Sequence, residues 1–195
     1  MRLTTTRLLF AHWDKLRGER AAPVRADIDP TRLKGLLADV FMLDAHPWQE
    51  GRIRLAGTRI CALFGRELKG QRLPDLWGEL ERTEVARLVG AVTGGMHGLL
   101  ASVTGVTTSG REIDAELLLL PVRPNAGAQC GAIGSFAAAT LPFWLGVDAI
   151  STLSTKTIRM IERKARTQTP FGQFSPPERQ GIARQHLVVL PGGRA

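Results

Sequence analysis

Apolar residues at helical spacing open the chain: Leu9, Trp13 and Leu16, with His12 between them, stand ahead of Gly18. The pattern predicts an amphipathic N-terminal helix ending at that glycine. Asp29-Pro30 sets an N-cap before a proline at the first helical position, and Leu33, Leu36, Leu37 and Val40 continue the spacing. A short helix is expected there, running into an apolar strand near Val40–Leu43. After a turn around Pro47–Gly51, residues 52–56 alternate polar and apolar side chains as a half-buried strand does. Short pieces follow, punctuated by Gly57, Gly65, Gly70 and Pro74, with helix-like apolar residues at Ile60, Leu63 and Phe64. Val85, Leu88, Val89 and Val92 then mark one face of a longer helix, preceded by Glu79, Glu81 and Glu84 and stopped by Gly94-Gly95. Three strands are expected after it, over 99–107, 112–123 and 130–139, with turns at Ser109-Gly110 and Asn125-Ala126-Gly127. The order predicts an α+β fold, a five-stranded antiparallel sheet with helices on one face.

The strand over 112–123 is apolar on both sides. Ile113, Ala115, Leu117 and Leu119 share one face, whereas Leu118 and Leu120 lie on the other. Such a sheet needs two covers. The helical group supplies one, and the N-terminal helix with Leu9, Trp13 and Leu16 is the candidate for the second. Trp13, Leu118 and Leu120 are therefore also candidate partner contacts, since such helices can be exchanged between protomers. On the same strand Glu112, Asp114 and Glu116 fall at every second position, roughly 7 Å apart. They are expected to form a solvated or partner-facing row, the alternative being paired carboxylates in acid/base work.

The charge is placed unevenly. The 195 residues carry 26 basic and 18 acidic side chains, net +8, yet residues 1–150 are net +2 and residues 151–195 net +6. The basicity belongs to the C-terminal segment, where Lys156, Arg159, Arg163 and Arg166 fall on one helical stripe with Ile158, Ile161 and Ala165 opposite. A basic amphipathic helix is expected, its contacts being nucleic acid, an anionic membrane surface, a protein or solvent alone. Arg159 and Arg163 are its candidate contact residues. Beyond it, Pro170–Pro177 reads as a flexible linker and His186–Leu190 as an added strand or docking segment. The expected division is a cap helix over 1–26, a domain over 27–147 and a basic tail over 148–195.

Candidate chemistry is sparse. Cys61 and Cys130 stand far apart without a Cys/His cluster, and His12, His46 and His186 have no second ligand at metal spacing, so no metal or disulfide framework is expected. Residues 124–147 contain no charged side chain, but Pro124, Asn125, Gln129, Pro142 and several glycines point to a loop and strand rather than a membrane span. The N-terminus lacks the continuous apolar stretch of a signal peptide, so a cytoplasmic location is expected. No G-x-S-x-G, phosphate-cradling glycine loop or kinase set occurs, and no catalytic residue is assigned.

Two runs carry a family likeness. Arg54-Leu-Ala-Gly-Thr58, Leu63-Phe-Gly-Arg-Glu-Leu-Lys-Gly70 and Leu76-Trp77 come in order, and Thr108-Ser-Gly-Arg-Glu-Ile113 follows later. With the element order above, this resembles the PAS family of sensory and interaction domains. Trp13, Leu16-Arg-Gly18, Pro23, Arg25 and Asp27-Ile-Asp-Pro30 further resemble the opening of a bacterial group of small stand-alone PAS-like proteins. The resemblance spans about residues 12–145 and implies a non-enzymatic regulatory protein in bacterial signal transduction. Such a protein acts by protein–protein interaction, as a homodimer, with small-ligand sensing open to it. It implies a pocket whose candidate lining is Phe64, Trp77, His97, Val103, Leu117, Leu119 and Phe136. Flavin-reactive PAS domains carry a cysteine just after the second spaced glycine, where this chain has Leu73 in Gly70-Gln-Arg-Leu73-Pro74, so a covalent flavin photoreceptor is disfavoured. Haem-binding members hang iron from a histidine near the long helix, for which His97 is the candidate. No cofactor is expected. The alternatives are a haem or non-covalent flavin sensor, and an adaptor for nucleic acid or membrane through the tail.

Overall fold

The computed structural model describes residues 1–44, 51–94, 97–124 and 131–161. Helix α1 spans Thr4–Arg17 and closes on Gly18, whose N–H donates to the Asp14 carbonyl. In place of one helix the chain makes three 3-10 turns around Asp29, Arg25–Asp27 before it and Pro30–Leu33 and Leu37–Asp39 after it. The Asp29 carboxylate accepts from Thr31 N and caps the second of them. Strands β1 (Val40–Leu43) and β2 (Ile53–Ala56) follow, then α2 (Thr58–Leu63), a 3-10 turn at Leu73–Leu76 and α3 (Glu79–Thr93). The meander is β3 (Gly98–Thr107), β4 (Glu112–Pro121) and β5 (Ala132–Ala138).

The named strands pair antiparallel throughout, in the order β2-β1-β5-β4-β3-β6. The sixth strand, β6 (Ile150–Ile161), corrects the expected five-stranded sheet and basic helix. It pairs with β3 along its length, from Thr107 opposite Ile150 to Gly98 opposite Ile161. Two facts outweigh the helical stripe. Ile150, Thr152, Thr155, Thr157, Ile158 and Ile161 are β-branched and favour a strand. The outer edge of β3 would otherwise leave a row of unpaired backbone groups. The Trp77 indole donates to Thr155 Oγ1 at 2.9 Å and the Glu81 carboxylate accepts from Thr155 N, covering part of the new edge. Arg163, Arg166 and the rest of the tail lie outside the described residues, as do His46, Cys130, Gly95 and the expected turns at 47–50 and 125–127.

The two sheet faces pack separately. On the inner face Phe41, Leu43, Val103, Leu117, Leu119 and Phe136 meet α2, α3 and the Leu73–Leu76 turn. On the outer face Val40, Met42, Leu118, Leu120 and Ile133 meet Leu9 and Trp13 of α1. Leu118 and Leu120 are wholly buried, each burial contributing about 1.5–3 kcal/mol. Both α1 and β6 belong to the same compact unit as the sheet.

Candidate functional site

Between the inner face and the short helices lies a cavity of about 10 Å³, room for about one water molecule. Phe41, Ile53, Phe64, Leu73, Leu117 and Phe136 are among its walls, and every wall is apolar. The Phe64 and Phe136 rings, two of its walls, have centroids 5.5 Å apart and are tilted by 54°. Of the expected pocket residues, Phe64, Leu117 and Phe136 line this space. Trp77, Val103 and Leu119 are buried in the same core without bordering it, and His97 is exposed one residue before β3. A flavin or haem needs a pocket of several hundred Å³, roughly 300–1,000, with polar partners or an iron ligand. The residues present fit neither group. Cys61 is a half-buried thiol whose ionisation is pushed up, chiefly by burial, and its Sγ lies 3.6 Å from Glu67 Oε1. Among the described residues no three His, Cys, Asp or Glu side chains converge as metal ligands, and no helix is long and apolar enough to cross a membrane.

Trp13, Leu118 and Leu120, expected as partner contacts, are spent on one another within the chain. The Trp13 indole N–H donates to the Pro121 carbonyl at 2.8 Å and the ring is buried. The acidic row on β4 also differs from the expectation. Glu112 is exposed and Asp114 binds Lys156 Nζ at 2.5 Å, but Glu116 is buried. Its Oε1 and Oε2 accept from the backbone N–H groups of Arg2 and Leu3 at 2.8 and 3.0 Å. It thus supplies the carboxylate that the start of α1 lacks locally. Burial pushes the Glu116 carboxyl up, but the N–H donors of Arg2 and Leu3, with Thr6 and the N-terminal charge, together hold it below its ordinary value.

A surface that sequence reasoning missed lies in the connection between β5 and β6, residues 139–149. Leu141, Phe143 and Val147 stand 66%, 95% and 90% exposed there. Chain ends do not explain this, because the segment is held tightly. Asp148 Oδ2 accepts from Thr107 Oγ1 at 2.7 Å and from Ser109 Oγ, and Oδ1 accepts from Thr108 Oγ1 at 2.9 Å. The Arg111 guanidinium lies 5.3 Å from the Trp144 ring centroid. Gly65, at φ +61°, lets the segment approach α2, since a Cβ there would stand 2.8 Å from the Ala149 methyl. The Ser109, Thr107 and Thr108 hydroxyls lower the Asp148 carboxyl from 3.8 to about 2.

Both carboxylates titrate lower in the fold than in the unfolded chain. Their stabilisation is therefore complete above the unfolded values, 4.5 for Glu116 and 3.8 for Asp148, and lost as pH falls through the folded ones. The melting temperature should fall between about pH 5 and pH 2, and Asp148→Asn should flatten part of that slope. Equal slopes for wild type and variant would show that Asp148 does not hold the segment.

A PAS-domain family model, PAS_5, matches residues 1–137. The chain belongs to the PAS family. Its sheet is the PAS sheet, β2-β1-β5-β4-β3, with β6 added beyond the matched residues. Similar solved structures include the PAS domain of Bordetella pertussis BvgS, 19% identical, covering 57% of this chain and 83% of that one, at a TM-score of 0.43. The Rhodobacter sphaeroides LOV protein is 17% identical, covering 60% and 71%, at 0.42. An RNA-binding Light-Oxygen-Voltage receptor is 19% identical, covering 60% and 36%, at 0.41. No curated protein matches. PAS domains are in general sensory and regulatory modules, and that class is the one this chain falls in.

Proposed function

We propose that this PAS domain is a non-enzymatic regulatory module that works by contact with proteins, a second copy of itself first among them, and not by chemistry on a bound cofactor. The observation that carries this reading is the anchored segment 139–149. Leu141, Phe143 and Val147 face water on a backbone tied down by Asp148 and Arg111. Three large apolar side chains left exposed within seven residues of an anchored segment favour a protein interface, and aromatic side chains dominate the energy of such interfaces. A segment already fixed loses little conformational entropy when it docks. The filled, apolar inner core supports the same reading, since it offers a cofactor neither volume nor polar partners.

Replacing Phe143 and Val147 together by serine tests the proposal. Both side chains are exposed, so stability should change by no more than about 0.5 kcal/mol. Sedimentation velocity should show concentration-dependent self-association of the full chain and a monomer for the double variant. A wild type that stays monomeric, or an association untouched by the two serines, would overturn it.

A further inference from the structure

The outer sheet face is only partly roofed. Helix α1 lies over β4 and β5, and beside its start a groove of about 330 Å³ opens towards β3 and β6. Leu100 and Ser102 of β3 and Glu116 of β4 line it, together with Arg2, Lys156 and Arg159. We propose that this groove is a binding site for a compact organic anion, a small phosphate ester or carboxylate. It is separate from the PAS core cavity, from which the sheet divides it.

The charges are arranged for an anion although two carboxylates stand nearby. Glu116 is already engaged by the N–H groups of Arg2 and Leu3, and Asp114 by Lys156. Three cations therefore face two carboxylates that are both committed to shorter contacts. Arg2 keeps its side chain 75% exposed with Nε 3.9 Å from Glu116 Oε1. Among the described residues Arg159 has no ion pair, so it is the cation left for a ligand, and its planar fork suits a bidentate phosphate or carboxylate.

The strand register explains why these cations meet. Ser102 stands opposite Thr157 and Val103 opposite Thr155, so Lys156 is the extra residue of a bulge. The bulge lets Lys156 reach outer-face Asp114 while Arg159, opposite Leu100, points to that same face. Leu100 gives a partly buried apolar floor and Ser102 a hydroxyl, so an anion with a short carbon body is favoured over a bare ion. The volume is at the lower end of small-molecule sites, about 300–1,000 Å³. The site is independent of the partner contact proposed above, because residues 139–149 contribute nothing to it.

Titration of the ¹⁵N-labelled full chain at fixed ionic strength tests the site, with glycerol phosphate, succinate and inorganic phosphate as probes. Saturable shifts are expected at the Arg159 side chain and the Ser102 amide, with binding weakened at least tenfold in Arg159→Glu. Arg66→Glu, an exposed arginine outside the groove, should bind as wild type does. Tighter binding of glycerol phosphate or of succinate identifies the headgroup. Shifts that never saturate, binding equal in wild type and Arg159→Glu, or equal loss in Arg66→Glu would overturn the proposal. A folded amide spectrum of Arg159→Glu excludes unfolding as the cause of a loss.

Discussion

Trp13→Ala is expected to destabilise the chain by about 3–5 kcal/mol, the cost of emptying a buried tryptophan site. The ring sits over the outer sheet face with Leu9, Leu118 and Leu120, and its N–H satisfies the Pro121 carbonyl. Truncation opens a cavity between helix and sheet and leaves that carbonyl without its donor. For a chain of this size the melting temperature should fall by about 10 °C. Trp13→Phe should cost less, because it restores most of the apolar volume and loses only the hydrogen bond. A Trp13→Ala variant melting with the wild type would mean that α1 does not cover the sheet in solution. Helix exchange between protomers would show instead as a melting temperature that still rises with protein concentration in the chain carrying Phe143→Ser and Val147→Ser.

Gly134→Val should be at least as damaging, by about 3 kcal/mol or more. Gly134 lies in β5 between Phe41 of β1 and Leu119 of β4. A Cβ there would stand 2.4 Å from Phe41 Cζ and 2.5 Å from the Leu118 carbonyl oxygen. The ring could turn away, but the backbone oxygen belongs to the central strand and cannot move without breaking the ladder. Gly134→Ala already places that Cβ, so it should lose much of the same stability. Denaturant unfolding with an unchanged midpoint in both variants would contradict the register of β1, β5 and β4.

How much of this could be read from residues alone follows the range of the interactions. The two faces of β4 were legible because alternation is local: Ile113, Ala115, Leu117 and Leu119 enter one core and Leu118 and Leu120 the other. The need for α1 as a second cover followed from the same count. What failed to show depended on partners far along the chain. Glu116 looks like one of three solvated acids until Arg2 and Leu3, 114 and 113 residues away, supply its donors. Strand β6 carries cations at helical spacing, and its β-branched residues together with the edge of β3 decide that Ile150–Ile161 extends instead. The exposed residues Leu141, Phe143 and Val147 sit in a charge-free stretch whose sequence suggests a loop and a strand. Their anchor, Asp148, finds its hydroxyl partners some 40 residues upstream. His97 was a candidate only through the family resemblance, which implies a haem ligand near the long helix, and its side chain is exposed.

The central claim is that this PAS domain keeps a filled core and turns its contact surface outward. Native mass spectrometry of the full chain, purified from cells that make both flavin and haem, tests both halves in one measurement. The expected spectrum is twice the bare polypeptide mass for the wild type and a single bare polypeptide for the chain carrying Phe143→Ser and Val147→Ser. A single polypeptide bearing the added mass of a flavin or haem would contradict the account.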